Sequence, residues 1–190
     1  CLGIISSLSI FEMNLSGVAT QKYSKAISEN KIIRFKALVA SNIIIIFFLM
    51  MLCSVIAIAI FFYYPSTIDS SNSSFEIRSS LIFCFIGFIG IQFSLSIGAF
   101  FQALQITLFQ NTINSASLVI NTIIILLCLY YYELGIISFS IGHCAMGLFN
   151  FSFLFVYSLI VWQKKCFGKI IFKELLIKEM IKDSAGLAIS

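Results

Sequence analysis

Four long apolar runs constrain this chain more than any other feature of its sequence. They cover approximately residues 37–64, 79–104, 113–132 and 134–162. A helix needs about 20 predominantly apolar residues to cross the hydrocarbon core of a bilayer, and each run has that length. The chain contains a single proline, so the runs can be helical throughout. The sequence therefore predicts four membrane-spanning helices.

The composition favours lipid over water as the solvent for these runs. The chain is 60% hydrophobic and only 11% charged, whereas soluble domains carry about 25% charged residues. A water-soluble fold of 190 residues has too little interior to bury so many apolar side chains. We therefore predict an all-α membrane protein, a polytopic transmembrane helix bundle, and not a soluble enzyme.

Both ends of the chain are also apolar. Residues 1–20 have the character of a partial membrane helix, and residues 184–190 that of the start of another one. The first residue is Cys1 rather than a methionine. We therefore expect a fragment of a longer protein.

The connections between the runs alternate in charge. The first connection holds five cations and the fifth holds six, which together are eleven of the twelve in the chain. The only cation in the second and fourth connections is Arg78, and the third connection holds no charged residue. Short cytoplasmic loops accumulate Lys and Arg, and odd-numbered connections share one side of the membrane. The first full span is therefore predicted to run from the cytoplasm outward.

Residues 163–183 differ from the spans, because charged and apolar side chains interleave there. The charges recur mostly three to five residues apart, which predicts an amphipathic helix. Two interpretations remain open. The helix lies on the inner leaflet, where anionic lipid attracts its lysines, or it is a solvated linker.

Small and polar residues form faces within two of the spans. Gly90, Ser94 and Gly98 are four residues apart, a spacing that favours close helix packing, with a cavity wall as the alternative. A second face on the third full span carries amide and hydroxyl groups that need partners in hydrocarbon. It either bonds to another helix or lines a water-filled path, and its residues are Asn114, Ser117 and Asn121.

Two ionisable residues lie in apolar surroundings and are therefore functional candidates. His143, the only histidine, is in the fourth full span. Imidazole titrates near neutral pH, so His143 is a candidate for proton coupling, with a hydrogen-bonded packing role as the alternative. Glu12, in the partial helix, is a candidate either for binding a coupling cation or for pairing with Lys22.

The cations of the first connection allow two readings. Topology alone explains them, since positive charge stays inside. Alternatively, they capture an anionic headgroup, for which the guanidinium fork of Arg34 suits phosphate oxygens. The six cysteines are scattered without a CxxC pair, which indicates packing rather than metal binding. No nucleotide-binding or catalytic motif is present, so we expect neither an enzyme nor a cofactor.

Three stretches of the chain resemble bacterial polysaccharide flippases. Residues 11–24 resemble the end of their second helix, with Glu12 and Gly17 preceding Lys22 and an aromatic residue. Residues 100–105 resemble the connection from their fourth to their fifth helix. Residues 133–138, followed by a helix rich in small residues and then by residues 163–165, resemble the pattern of their fifth and sixth helices. The chain is therefore similar to helices two to six, and the first part of helix seven, of O-antigen flippases of the Wzx type. These belong to the multidrug/oligosaccharidyl-lipid/polysaccharide transporter superfamily.

This resemblance implies a two-lobe fold that works by alternating access, with residues 1–162 forming part of the N-terminal transmembrane lobe. The expected substrate is an undecaprenyl-diphosphate-linked O-antigen repeat unit, moved across the bacterial inner membrane by a multi-pass protein. H⁺ or Na⁺ is the expected coupling ion, lipid the expected surroundings, and no nucleic acid is involved. In this reading Lys22 and Arg34 hold phosphate, the polar face at 114–121 lines the glycan path, and residues 163–183 join the lobes. One departure is the absence of a basic residue from positions 105–114.

Other membrane proteins share parts of this pattern. A drug exporter or a lipid II flippase of the same superfamily is the nearest alternative. A membrane-embedded polysaccharide polymerase is less consistent with the sequence. A polymerase would have a large outward loop with several basic residues. The longest outward loop here, residues 65–78, is short, and Arg78 is its only cation.

Overall fold

The computed structural model describes residues 2–63, 73–165, 168 and 174–189, with side chains for 15–59, 61–62, 75–165, 168 and 176–183. Within those residues the chain forms α-helices and no strand. The helices are α1 (Leu2–Ser28), α2 (Ile32–Tyr63), α3 (Ser73–Ala103), α4 (Thr107–Tyr130), α5 (Ile137–Lys164) and α6 (Glu174–Ile189).

Four of these helices are long and apolar enough to span a membrane, which confirms the predicted number of full spans. The spanning stretches are Ile32–Ala59, Phe75–Ala103, Thr107–Tyr130 and Ile137–Lys164. Large apolar side chains remain on their outer surfaces: Phe48 is 68% exposed and Leu108 is 83% exposed. Lipid is the solvent that tolerates such a surface. The chain is an all-α polytopic membrane helix bundle.

Helix α3 lies at the centre of this bundle. It packs against α1, α2, α4 and α5, while α4 also packs against α5. Helix α6 packs against α1 and α2. The backbones of α2 and α5, as far as these helices are described, do not come within 8 Å of each other. Both helices therefore flank α3 and leave a gap between them.

The closest helix contact is the crossing of α3 and α5. A Cβ atom added at Gly90 would lie 2.6 Å from the carbonyl carbon of Gly147, and one added at Gly87 would lie 2.6 Å from the carbonyl oxygen of His143. Further along α3, the side chain of Gln110 covers Gly98. These contacts confirm the close-packing interpretation for Gly90 and Gly98.

Two connections are shorter than the sequence predicted, because Asn30 and Gln105 end α1 and α3 in the left-handed conformation, with φ of 54° and 60°. In each turn the following amide returns to the helix: Lys31 N–H donates to the Ala26 carbonyl, and Ile106 N–H to that of Phe101, both at 2.9 Å. This is the Schellman motif. The predicted connection at 105–114 was therefore wrong in extent, since α4 begins at Thr107.

The positions of three helix ends also differ from the sequence prediction. Helix α1 continues to Ser28 and α2 begins at Ile32, so most of the cationic first connection is helical. Helix α5 begins at Ile137 rather than at residue 134. Glu133 and Gly135 both have positive φ, 50° and 53°, and keep the intervening turn from being helical.

One face of helix α6 packs against protein. Leu176 is 7% exposed and Met180 is fully buried, and the helix contacts α1 and α2. Neither sequence interpretation of residues 163–183 anticipated this docking. The helix also continues to Ile189, across the boundary predicted at 183. Residues 166–167 and 169–173 of that segment lie outside the described residues.

Candidate functional site

A cleft between α2 and α5 is the main candidate site. Its volume is about 430 Å³. Helix α3 forms its floor, α2 and α5 form its walls, and Tyr23 of α1 closes one end. Most of the lining is apolar and much of it is aromatic, contributed by Phe93, Phe100, Phe151, Phe155 and Trp162.

Aromatic rings from four helices meet at one end of the cleft. The Phe35 and Trp162 rings stack with their centroids 6.3 Å apart, and Phe100 lies 6.1 Å from Trp162. Tyr23 meets Phe35 edge-on at 5.6 Å. The start of α2 and the ends of α3 and α5 therefore lie together, as the alternation of charge requires. We refer to this as the cationic end of the bundle.

A pair of buried polar side chains joins one wall of the cleft to its floor. The Asn42 Nδ2 of α2 donates a hydrogen bond to the Ser96 Oγ of α3 at 2.9 Å. Asn42 is 1% exposed and Ser96 is 8% exposed. The sequence analysis missed both. The available signal was Asn42, an amide inside the most hydrophobic of the four runs, where an unpaired amide is costly.

Lys36 does not line the cleft itself but lies close to its Trp162 end. It is on the same face of α2 as Val39 and Ile43, which line the cleft, because residues three and seven positions apart share a helix face. Its Nζ is 3.5 Å from the Cβ position of Gly168. The Trp162 Nε1 donates to the Gly168 carbonyl at 2.9 Å. The ammonium group and the indole, which lines the cleft, therefore both lie close to Gly168.

A second cavity, of about 280 Å³, brings together the two predicted phosphate-binding residues. The Lys22 Nζ is 2.8 Å from Glu179 and 2.6 Å from Asp183, and the Arg34 Nη2 is 3.4 Å from Glu179. Carboxylates of α6 therefore already meet these positive charges. Phosphate capture by Lys22 and Arg34 stays a prediction, and it requires α6 to move away.

The turn beside this cavity holds another ion pair. The Lys31 Nζ is 2.8 Å from the Glu29 carboxylate. The hydrogen bond from Lys31, together with the surrounding positive charge, holds the pKa of the Glu29 carboxyl below its ordinary value. The cationic end therefore contains carboxylates that pair with several of its Lys and Arg side chains, and it is not a purely positive surface.

The predicted polar face of α4 lies against α5. Ser117 is 1% exposed, and its Oγ donates to the Asn114 carbonyl at 2.7 Å. A Cβ atom at Gly142 would lie 2.5 Å from the Asn121 Oδ1. The face therefore packs against α5, but the Ser117 bond stays within α4, and the Asn121 Oδ1 has no hydrogen-bond partner among the described residues. Both interpretations, a bond to another helix and a water-filled path, stay predictions. None of the three residues of this face lines the cleft.

The two predicted coupling residues are placed differently. His143 is half-buried in α5 with its backbone against Gly87 of α3. Its buried Nε2 has no hydrogen-bond partner among the described residues. His143 does not line the cleft. The backbone of Glu12 belongs to α1, while its side chain lies outside the described part of the chain.

No family model, curated protein or solved structure matches this chain. The resemblance to polysaccharide flippases therefore rests on the sequence motifs alone.

Proposed function

We propose that the chain is part of a bacterial flippase, which carries undecaprenyl-diphosphate-linked repeat units across the inner membrane by alternating access. The cleft between α2 and α5 supports this proposal most directly. It lies among membrane-spanning helices, and it combines apolar walls with the Asn42–Ser96 polar pair. A carrier of amphipathic cargo needs both kinds of surface at membrane depth.

The size of the cleft also supports a binding role. Ligand pockets typically have volumes of about 300–1,000 Å³, with apolar walls and few polar groups. The cleft volume of about 430 Å³ lies within this range. One cleft of this size accommodates part of a lipid-linked oligosaccharide, so the remaining contacts would come from other surfaces of the transporter.

A drug exporter of the same superfamily is the second candidate. Aromatic rings offer large, rigid contact areas to apolar molecules, and the cleft is rich in them. The two candidates differ in cargo, and one set of cell experiments separates them.

The test is deletion of the gene in its host, followed by complementation. A flippase predicts loss of surface polysaccharide and accumulation of the lipid-linked repeat unit, with both reversed by the wild-type gene. Ser158→Phe, which fills the cleft, should fail to complement. Ser152→Phe, at an exposed position on the same helix that does not line the cleft, should complement.

The deletion can also contradict the proposal. Unchanged surface polysaccharide and unchanged lipid-linked intermediates would reject the flippase. Increased sensitivity to apolar drugs in that same strain would support the exporter instead.

A further inference from the structure

We propose that the cleft between α2 and α5 binds one anionic membrane lipid, with the hydrocarbon chain among the aromatic rings and the headgroup phosphate on Lys36. The inference deepens the proposed function, since the cargo of such a flippase is an anionic lipid. It rests on that function only for the identity of the natural lipid. The site itself follows from three features of the cleft.

The first feature is that the cleft opens to the surrounding membrane. Residues that line it are also part of the outer surface: Ile43 of α2 is 48% exposed, and Phe155 and Leu159 of α5 are 44% and 47% exposed. The backbones of α2 and α5 stay apart, so far as these helices are described. A lipid chain can therefore enter sideways, between the two helices.

The second feature is the shape and chemistry of the walls. The α5 side of the cleft extends from Phe151 to Trp162, a distance of about 16 Å at the helical rise of 1.5 Å per residue. This elongated apolar surface runs along membrane-spanning helices and matches an extended hydrocarbon chain. A hydrophilic peptide or free phosphate would gain nothing from these walls.

The third feature is the charge at the opening. Three other cations of this end, Lys22, Lys31 and Arg34, have carboxylate partners within 4 Å. Lys36 is half-buried, and no ion pair involves it in the described part of the chain. It lies about two turns from Ile43 on the cleft face. A phosphate at the level of the headgroups would neutralise it while the chain occupies the cleft.

The chain carries its own probe for this site. Trp162, the only tryptophan, lines the cleft, so lipids with brominated chains quench its fluorescence when they bind there. We would reconstitute the 190-residue chain into phosphatidylcholine vesicles containing brominated phosphatidylglycerol or brominated phosphatidylcholine. One lysine near the membrane surface favours an anionic lipid about fivefold. Brominated phosphatidylglycerol should therefore quench half-maximally at an about fivefold lower mole fraction.

Two pairs of variants test the assignment. Lys36→Gln should abolish the preference for phosphatidylglycerol, while Lys25→Gln, an exposed cation of the same end that lines the second cavity instead, should retain it. Ser158→Phe should weaken quenching by both lipids, and Ser152→Phe should not. Equal quenching by the two lipids in the wild-type chain would overturn the proposal without any variant. So would a preference that survives in Lys36→Gln.

The outcome is separable from that of the transport test. If the chain prefers phosphatidylglycerol through Lys36 but does not restore surface polysaccharide, the result supports the lipid site and contradicts the flippase proposal. If the chain restores surface polysaccharide but both lipids quench its fluorescence equally, the result supports the flippase proposal and contradicts this lipid site.

Discussion

At the scale of single residues, glycine determines how closely the spans approach. The α3–α5 crossing brings the backbones of Gly87, Gly90 and Gly147 together, with no room for a Cβ atom between them. In a membrane, helix association depends on such close packing, because lipid is as apolar as the side chains. The absence of three side chains therefore stabilises the central helix pair.

Gly147→Ala tests this contact. The new Cβ atom would overlap the Gly87 carbonyl oxygen, and overpacking of this kind costs about 1–3 kcal/mol. Gly17→Ala is the matched control, since no atom lies within 4 Å of the Cβ position there. We expect Gly147→Ala to lower the free energy of unfolding, measured by circular dichroism in mixed micelles with increasing dodecyl sulfate, relative to Gly17→Ala. Equal stability of the two variants would refute the close crossing.

At the scale of helices, α6 is held to the cationic end by charge and by two buried apolar residues. Lys22 and Arg34 share Glu179, while Leu176 and Met180 pack into the core. The helix thus connects the polar segment after α5 to both α1 and α2. Movement of α6 would release the two cations that the sequence marked as candidates for phosphate binding.

A double-mutant cycle measures how strongly Lys22 and Glu179 are coupled. The Lys22 side chain is 14% exposed and that of Glu179 is 38% exposed, so solvent screens the pair and we expect a coupling of about 0.5–1 kcal/mol. The variants are Lys22→Met, Glu179→Gln and their combination, with hydrogen exchange of the α6 amides as the readout. Lys182→Met, at an exposed position of α6, controls for the loss of a charge. Strictly additive effects would show that the ion pair does not hold α6.

The sequence predicted helices better than it predicted contacts. The four spans could be predicted because hydropathy is a local property, which depends on residues that are neighbours in the chain. The docking of α6 was not, since Lys22 and Glu179 are 157 positions apart. The Asn42–Ser96 pair, 54 positions apart, was missed for the same reason. The turns after α1 and α3 were misplaced because Asn30 and Gln105 end these helices in left-handed conformations. Glycine is the residue that usually marks such a helix end in a sequence, and neither position holds one.

At the scale of the whole molecule, the arrangement of spans explains why charge collects at one end. Phe35 and Trp162 stack where α2 begins and α5 ends, and the first and fifth connections carry eleven of the twelve cations. The positive-inside rule then assigns this end to the cytoplasm. Both cavities and the proposed lipid phosphate site lie at or near this end, where a cytoplasmic lipid would first meet the protein.

Membrane topology is therefore the most direct test of the account. We would fuse reporters after Ser28 and Gln105, in the odd-numbered connections, and after Asn72 and Tyr132, in the even-numbered ones. Alkaline phosphatase is active only outside the cytoplasm, and green fluorescent protein folds inside it. The alternation of charge predicts fluorescence at Ser28 and Gln105 and phosphatase activity at Asn72 and Tyr132. Reporters at Ser28 and Asn72 that lie on the same side would contradict it.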